Sequence, residues 1–187
     1  MIDDLSFAHD WNYVYNSAYE SSIRYDNGYI TNQYADPFNK MRYGVTTMDG
    51  VACELIAIYN ALNKLGYYVP LSKIADYYEH NPGMWNRGKW GTEYWHIGDY
   101  FENISCIDVD RIEKNQIDDM LTTENALILS YVNANALTVI HTVMVERTED
   151  GKIKAYNASN GVQNSVEDFL EVKGFAFCSA YIVQKHE

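Results

Sequence analysis

The stretch "DGVACELIAIYNALNKLG", residues 49–66, limits the fold more than any other part of the chain. Ala52, Leu55, Ile56, Tyr59, Leu62 and Asn63 recur at spacings of three and four. All but the last are apolar, which predicts one stripe of a helix over 51–65. Ala57, Ile58 and Ala61 widen the stripe until little polar surface remains. A helix apolar on most sides has to be wrapped by the rest of the chain. Asp49 is the expected N-cap and Gly66 the expected stop.

The remaining sequence supplies the wrapping in two textures. Residues 1–42 predict a short helix and then irregular structure rich in tyrosine, asparagine and aspartate. "LSKIADYYEH" after Pro70 reads as a second helix, and "TEYWHIGDYFENI" as a third with Thr92 as its N-cap. After residue 104 strand patterns take over: "SCIDVD", "ALILSYVNA", "LTVIHTVMVER", "KIKAYNAS" and "FAFCSAYIVQK". "EKNQIDDMLT" and "VEDFLEV" are short helices among them, and Asp150-Gly151 turns a hairpin. Helices first and a mainly antiparallel sheet second predict an α+β fold with segregated layers. One domain is expected over 1–187: an N-terminal wrap (1–42), a helical part (43–104) and a sheet part (105–187).

Composition narrows the function. The net charge of −12 speaks against nucleic acid, whose phosphates need a basic footprint. No apolar run approaches the roughly 20 residues of a membrane span. The acidic start "MIDDLSFAHDW" lacks a basic region followed by an apolar one, so a cytoplasmic location is expected; a chain already trimmed of a secretion signal would read the same way. Cys53, Cys106 and Cys178 form no CxxC, and the five histidines form no HExxH. Neither a disulfide framework, a metal nor a cofactor is expected. Cys106 and Cys178 sit in apolar strand patterns and read as core.

Cys53 has two readings. A cysteine on a buried helix is commonly inert filler. In a first helical turn, however, free N–H groups and the positive end of the helix favour a thiolate. His141, in "VIHTVMVER", is a candidate base. Val139, Val143 and Val145 share its strand face, while Ile140, Thr142, Met144 and Glu146 share the other. A histidine among valines also reads as a core residue bonded to a carbonyl. Asn157, 16 residues on, lies on the strand returned by the hairpin. Its amide oxygen is expected to accept Nδ1–H of His141; the simpler alternative is that it opens the turn "NASNG". His96 and Asp99, three apart, are expected to form a local structural pair. Trp85 and Trp90, in the glycine-bearing loop "GMWNRGKWG", wall a substrate cleft or anchor a surface loop.

Cysteine at a helix N-terminus, then "HTVMV" on a strand, then asparagine at the end of the next strand, resembles the papain-like cysteine peptidases. The likeness is to the short bacterial branch that includes the leader-processing domains of bacteriocin exporters. There, as in "GVACELIAIYNALNKLG", a cysteine-bearing stretch opens a helix ending in leucine-glycine, and "GT" followed by "IGDYF" also recurs. The resemblance covers residues 43–183. It implies a papain-like fold, with the nucleophile helix packed on the sheet. It also implies Cys53 as nucleophile, His141 as general base and acid, and Asn157 as orienting residue. The implied substrate is a peptide or a small amide or acyl compound.

Two positions depart from the family. Where it has an oxyanion-donating glutamine, about six residues before the cysteine, this chain has Thr47. Loss of such a donor costs about 10²–10³ in rate. Gln33 is the substitute expected from the N-terminal wrap. Glu54 also sets a carboxylate beside the sulfur, against a low thiol pKa. Three functions follow: a peptidase or amidase acting through a thioester, an acyltransferase using the same thiol, or a catalytically silent peptide-binding module.

Overall fold

The computed structural model describes residues 4–133, 140–158, 162–172 and 174–186. The chain is α+β. It opens with helix α1 (Asp4–Tyr19), and residues 23–41 follow as irregular backbone. A two-stranded ribbon, β1 (Arg42–Tyr43) and β2 (Thr46–Thr47), leads into α2 (Cys53–Lys64). Next come α3 (Leu71–His80) and α4 (Ile97–Glu102). The second half holds β3 (Ile107–Ile112), α5 (Ile117–Met120), β4 (Ala126–Asn133), β5 (Ile140–Arg147), β6 (Ile153–Tyr156), β7 (Val162–Gln163), α6 (Val166–Val172) and β8 (Phe175–Lys185).

The six strands β3 to β8 form one antiparallel sheet in the order β3-β8-β4-β5-β6-β7. Its two faces carry separate cores. Ala126, Ile128, Met144, Tyr156, Tyr181 and Val183 pack with the helices of the first half. Leu127, Leu129, Tyr131, Val143, Val145 and Ile182 pack with Ile117, Val166, Phe169 and Leu170 on the other side. Helices therefore cover both faces, where the sequence pattern placed the main helical layer on one.

Helix α2 is the hub. Leu55, Ile56, Ile58 and Leu62 have no exposed surface, and truncating any one to alanine costs about 2–5 kcal/mol. At its C-terminus Gly66 adopts φ +83°, and Tyr67 N–H donates to the Leu62 carbonyl, closing a Schellman-type stop. Its N-terminus differs from expectation. Ala52 occupies the cap position, and Asp49 lies in a 3₁₀ turn (Met48–Gly50), where its carboxylate accepts the Thr47 hydroxyl at 2.6 Å. Thr92 does not cap a third helix either. The chain passes through a 3₁₀ turn (Tyr94–His96) into the shorter α4, while the Thr92 hydroxyl pairs with Tyr43 at 2.9 Å. Helix α3 is capped from a distance: the Glu20 carboxylate accepts the N–H groups of Leu71 and Ser72.

Cys106 is exposed and Cys178 half-buried, so neither is the core residue expected, and all three cysteines are free. Residues 137–139 of the expected strand "LTVIHTVMVER" and 159–161 of the "NASNG" turn lie outside the described residues. Among the described residues no helix is long and apolar enough to cross a membrane, and no group of three His, Cys, Asp or Glu side chains could hold a metal ion.

Candidate active site

Cys53 is the first residue of α2 and is 6% exposed. The helix lies on the sheet face that carries Met144, so Thr142, two residues earlier on β5, faces it too. On the β6 side, β5 is paired only from Arg147 back to Met144. Thr142 N–H lies beyond that pairing and is directed at the Cys53 sulfur, as is the N–H of Glu54. The sulfur thus receives two main-chain donors at the open edge of β5, a setting that suits developing negative charge.

The thiol proton is not directed to an imidazole. Cys53 Sγ donates to Oε2 of Glu54 at 3.2 Å. Glu54 is 3% exposed, and its carboxylate also receives its own N–H, the Thr92 N–H and, at 3.4 Å, the Thr142 hydroxyl. That hydroxyl is 2.9 Å from Ser130 Oγ across the β4–β5 pairing. Burial pushes the Glu54 carboxyl up to about 7 despite these donors. Burial, followed by the Glu54 charge, pushes the Cys53 thiol well above its ordinary value.

His141 shares its face with Val143 and Val145, as strand alternation requires, and its ring meets Tyr131 edge-on at 5.7 Å. This is the face opposite Thr142. The ring is held at the edge beyond β6, where Nε2 lies 2.7 Å from the Asn157 main-chain oxygen. A carbonyl only accepts, so Nε2 carries the proton and Nδ1 is left as the acceptor of the neutral ring. Burial holds the His141 pKa below its ordinary value, with the Asn157 carbonyl opposing.

Asn157 therefore meets His141, but not through the expected group. Its backbone is left-handed, φ +61°, which turns the carbonyl toward the imidazole and the side chain elsewhere. The amide pairs reciprocally with Gln33. Asn157 Nδ2 donates to Gln33 Oε1 at 2.8 Å, and Gln33 N–H donates to Asn157 Oδ1 at 3.1 Å. Gln33, 2% exposed, also donates Nε2 to the Asp49 carbonyl at 3.1 Å. The two expected oxyanion donors, Thr47 and Gln33, thus both end on Asp49, one on its carboxylate and one on its carbonyl. They tie down the turn before α2.

The tryptophan loop adjoins this site. Trp85 and Trp90 stack edge-on at 5.0 Å, and Trp90 is 61% exposed. At Gly91, φ +80°, a Cβ would stand 2.8 Å from the Val51 carbonyl and 3.0 Å from Glu54 Oε2. The loop therefore presses against the start of α2. Three surface grooves of 440–590 Å³ are lined by other residues. His96 forms the expected local pair, Nδ1 to Asp99 at 2.6 Å.

Glu54 was visible in the sequence as an opposing charge. The Thr142 N–H had no sequence signal, since every residue but proline carries one. No protein-family model matches this chain, and no curated protein is detectably similar to it.

Proposed function

We propose that the chain is a papain-like thiol enzyme that cleaves a peptide or small amide through a thioester. One arrangement supports this reading: the Thr142 and Glu54 N–H groups are aimed at the first-turn sulfur of α2, and His141, the residue before Thr142 on β5, has its ring fixed as the Nε2–H tautomer with Nδ1 as acceptor. In the reaction, Nδ1 takes the thiol proton and sulfur attacks the acyl carbon. The imidazolium then protonates the leaving amine, and the neutral ring activates water against the thioester. Asn157 orients the ring through its carbonyl, and Trp85 and Trp90 form a wall of the substrate cleft. With an amine or thiol in place of water, the same steps make an acyltransferase. The free state of all three cysteines suits a reducing compartment such as the cytoplasm.

A second reading, a silent peptide-binding module, draws on other observations. The sulfur is nearly buried and bonded to Glu54, His141 lies on the opposite sheet face, and Thr47 and Gln33 are committed to Asp49.

An acyloxymethyl-ketone peptide probe separates the two. The enzyme reading expects a covalent adduct on Cys53 of the folded protein that disappears in His141→Ala. Absence of an adduct in the wild type, with normal folding, rejects it.

A further inference from the structure

Neighbouring residues on a helix do not normally face each other. Glu54 nevertheless turns back onto Cys53, held by the Thr92 N–H, by its own N–H and by the Thr142 hydroxyl. Gly91, lacking a side chain, lets the loop close over the carboxylate. We propose that Glu54 is a brake on the nucleophile: its carboxylate holds the sulfur as a neutral thiol, and discharging that carboxylate arms it. Glu54 is thus a positioning residue that acts through Cys53. Its use in catalysis rests on the hydrolase reading, whereas the coupling of the two groups does not.

The two main-chain donors at the sulfur favour a thiolate, while a carboxylate 3.2 Å away opposes one. In the braked state the proton stays on sulfur, shared with Oε2. When Glu54 takes up a proton from solvent, the repulsion ends and the S–H proton can pass to His141 Nδ1, giving thiolate and imidazolium. Two tyrosines interact with the pair: Tyr131 on β4, which feels the Cys53 charge, and Tyr43 on β1, which feels both Glu54 and, from α3, Glu79. His141 precedes Thr142 on β5. Burial keeps both tyrosines protonated well beyond neutrality, so neither supplies a charge near pH 7. The brake engages as pH rises through the Glu54 value of about 7.

The test is the rate of iodoacetamide alkylation of Cys53 in the folded protein, with thiolate absorbance at 240 nm followed from pH 5 to 10. Glu54→Gln should raise the rate at pH 7.5 at least about tenfold and move the thiolate midpoint down by at least about one pH unit, since a neighbouring charge acts on this scale. Thr142→Val removes one donor to the carboxylate and keeps the N–H at the sulfur. It should give a smaller rise in the same direction, and it carries the test if Glu54→Gln does not fold. An unchanged rate in the folded variant overturns the proposal. So does a slower one, which would make Glu54 the base that activates the thiol. His141→Ala in the Glu54→Gln background separates the two readings. If the gain survives there, the brake stands and the cysteine–histidine mechanism falls.

Discussion

His141 hangs from the main chain of Asn157: its Nε2 donates to the Asn157 carbonyl at 2.7 Å, while the Asn157 amide faces Gln33. The orienting group is thus one that no side-chain substitution removes. Asn157→Gly keeps the carbonyl, suits the left-handed backbone and deletes only the amide. The variant should lose about 1–3 kcal/mol of stability for the buried pair left open. Its His141 pKa, followed by NMR, should stay at the wild-type value. A large shift in that pKa would show that the amide, not the carbonyl, governs the ring.

Gln33 ties three distant stretches together, through Asp49 on one side and Asn157 on the other. Gln33→Ala should cost about 1–3 kcal/mol for each buried partner left unpaired. Hydrogen exchange should rise together in residues 30–36 and 153–158. If only the first segment loosens, the amide pair does not couple them.

Stability should fall as pH rises toward neutrality. Glu54 and Glu79 are buried, and burial pushes both carboxyls up to about 7 from an ordinary 4.5. A raised carboxyl contributes its full stability below the unfolded value, near 4.5, and loses it as pH rises through the folded value, near 7. Each group is worth on the order of 3 kcal/mol across that window. Urea midpoints should therefore be higher at pH 5 than at pH 8, and Glu54→Gln with Glu79→Gln should flatten the trend. A midpoint that instead climbs between pH 5 and 8 would contradict the burial of both groups in the charged form.

Gly91 and Gly50 make a paired test of the loop closure. At Gly91 a side chain meets the Val51 carbonyl, and φ is +80°, whereas at Gly50 nothing lies within 4 Å. Gly91→Ala should destabilise by about 1–3 kcal/mol and disturb Cys53 alkylation. Gly50→Ala should leave both near wild type. Equal melting temperatures for the two variants would mean that the loop is not seated on α2.

Exposed Trp90 should matter to substrate more than to folding. Trp90→Ala is expected to leave the melting temperature within a degree or two and to raise KM roughly three- to tenfold, the scale of one aromatic contact, with kcat little changed. A variant that melts much lower would reassign the tryptophan to a purely structural anchor.

What could be read from the residues depended on how local the cause was. Helix α2 follows from its own periodicity, and the β5–β6 hairpin from alternating valines and an Asp-Gly turn. Strands β1, β2 and β7 have two residues each, too few to show a period. The start of α3 was legible after Pro70, although the Glu20 carboxylate that caps it, 51 residues from Leu71, was not. Thr92 misled because its bonding is remote: it is engaged by Tyr43, 49 residues away. Cys53, His141 and Asn157 were legible as residues that could gather at one end of the sheet. Which atoms they present was not, because a single left-handed φ at Asn157 exchanges carbonyl for amide. The burial of Glu54 was hidden too, since it depends on a loop that closes from 37 positions downstream at Gly91.

The Gln33–Asn157 pair joins positions 124 residues apart. On the ribosome the sulfur emerges long before Asn157 has been made. Until then Cys53 is an ordinary solvated cysteine, with neither the His141 strand nor its anchoring carbonyl in place. Nascent and truncated chains therefore lack the buried setting that raises the Cys53 thiol, and that setting is completed only with the sheet.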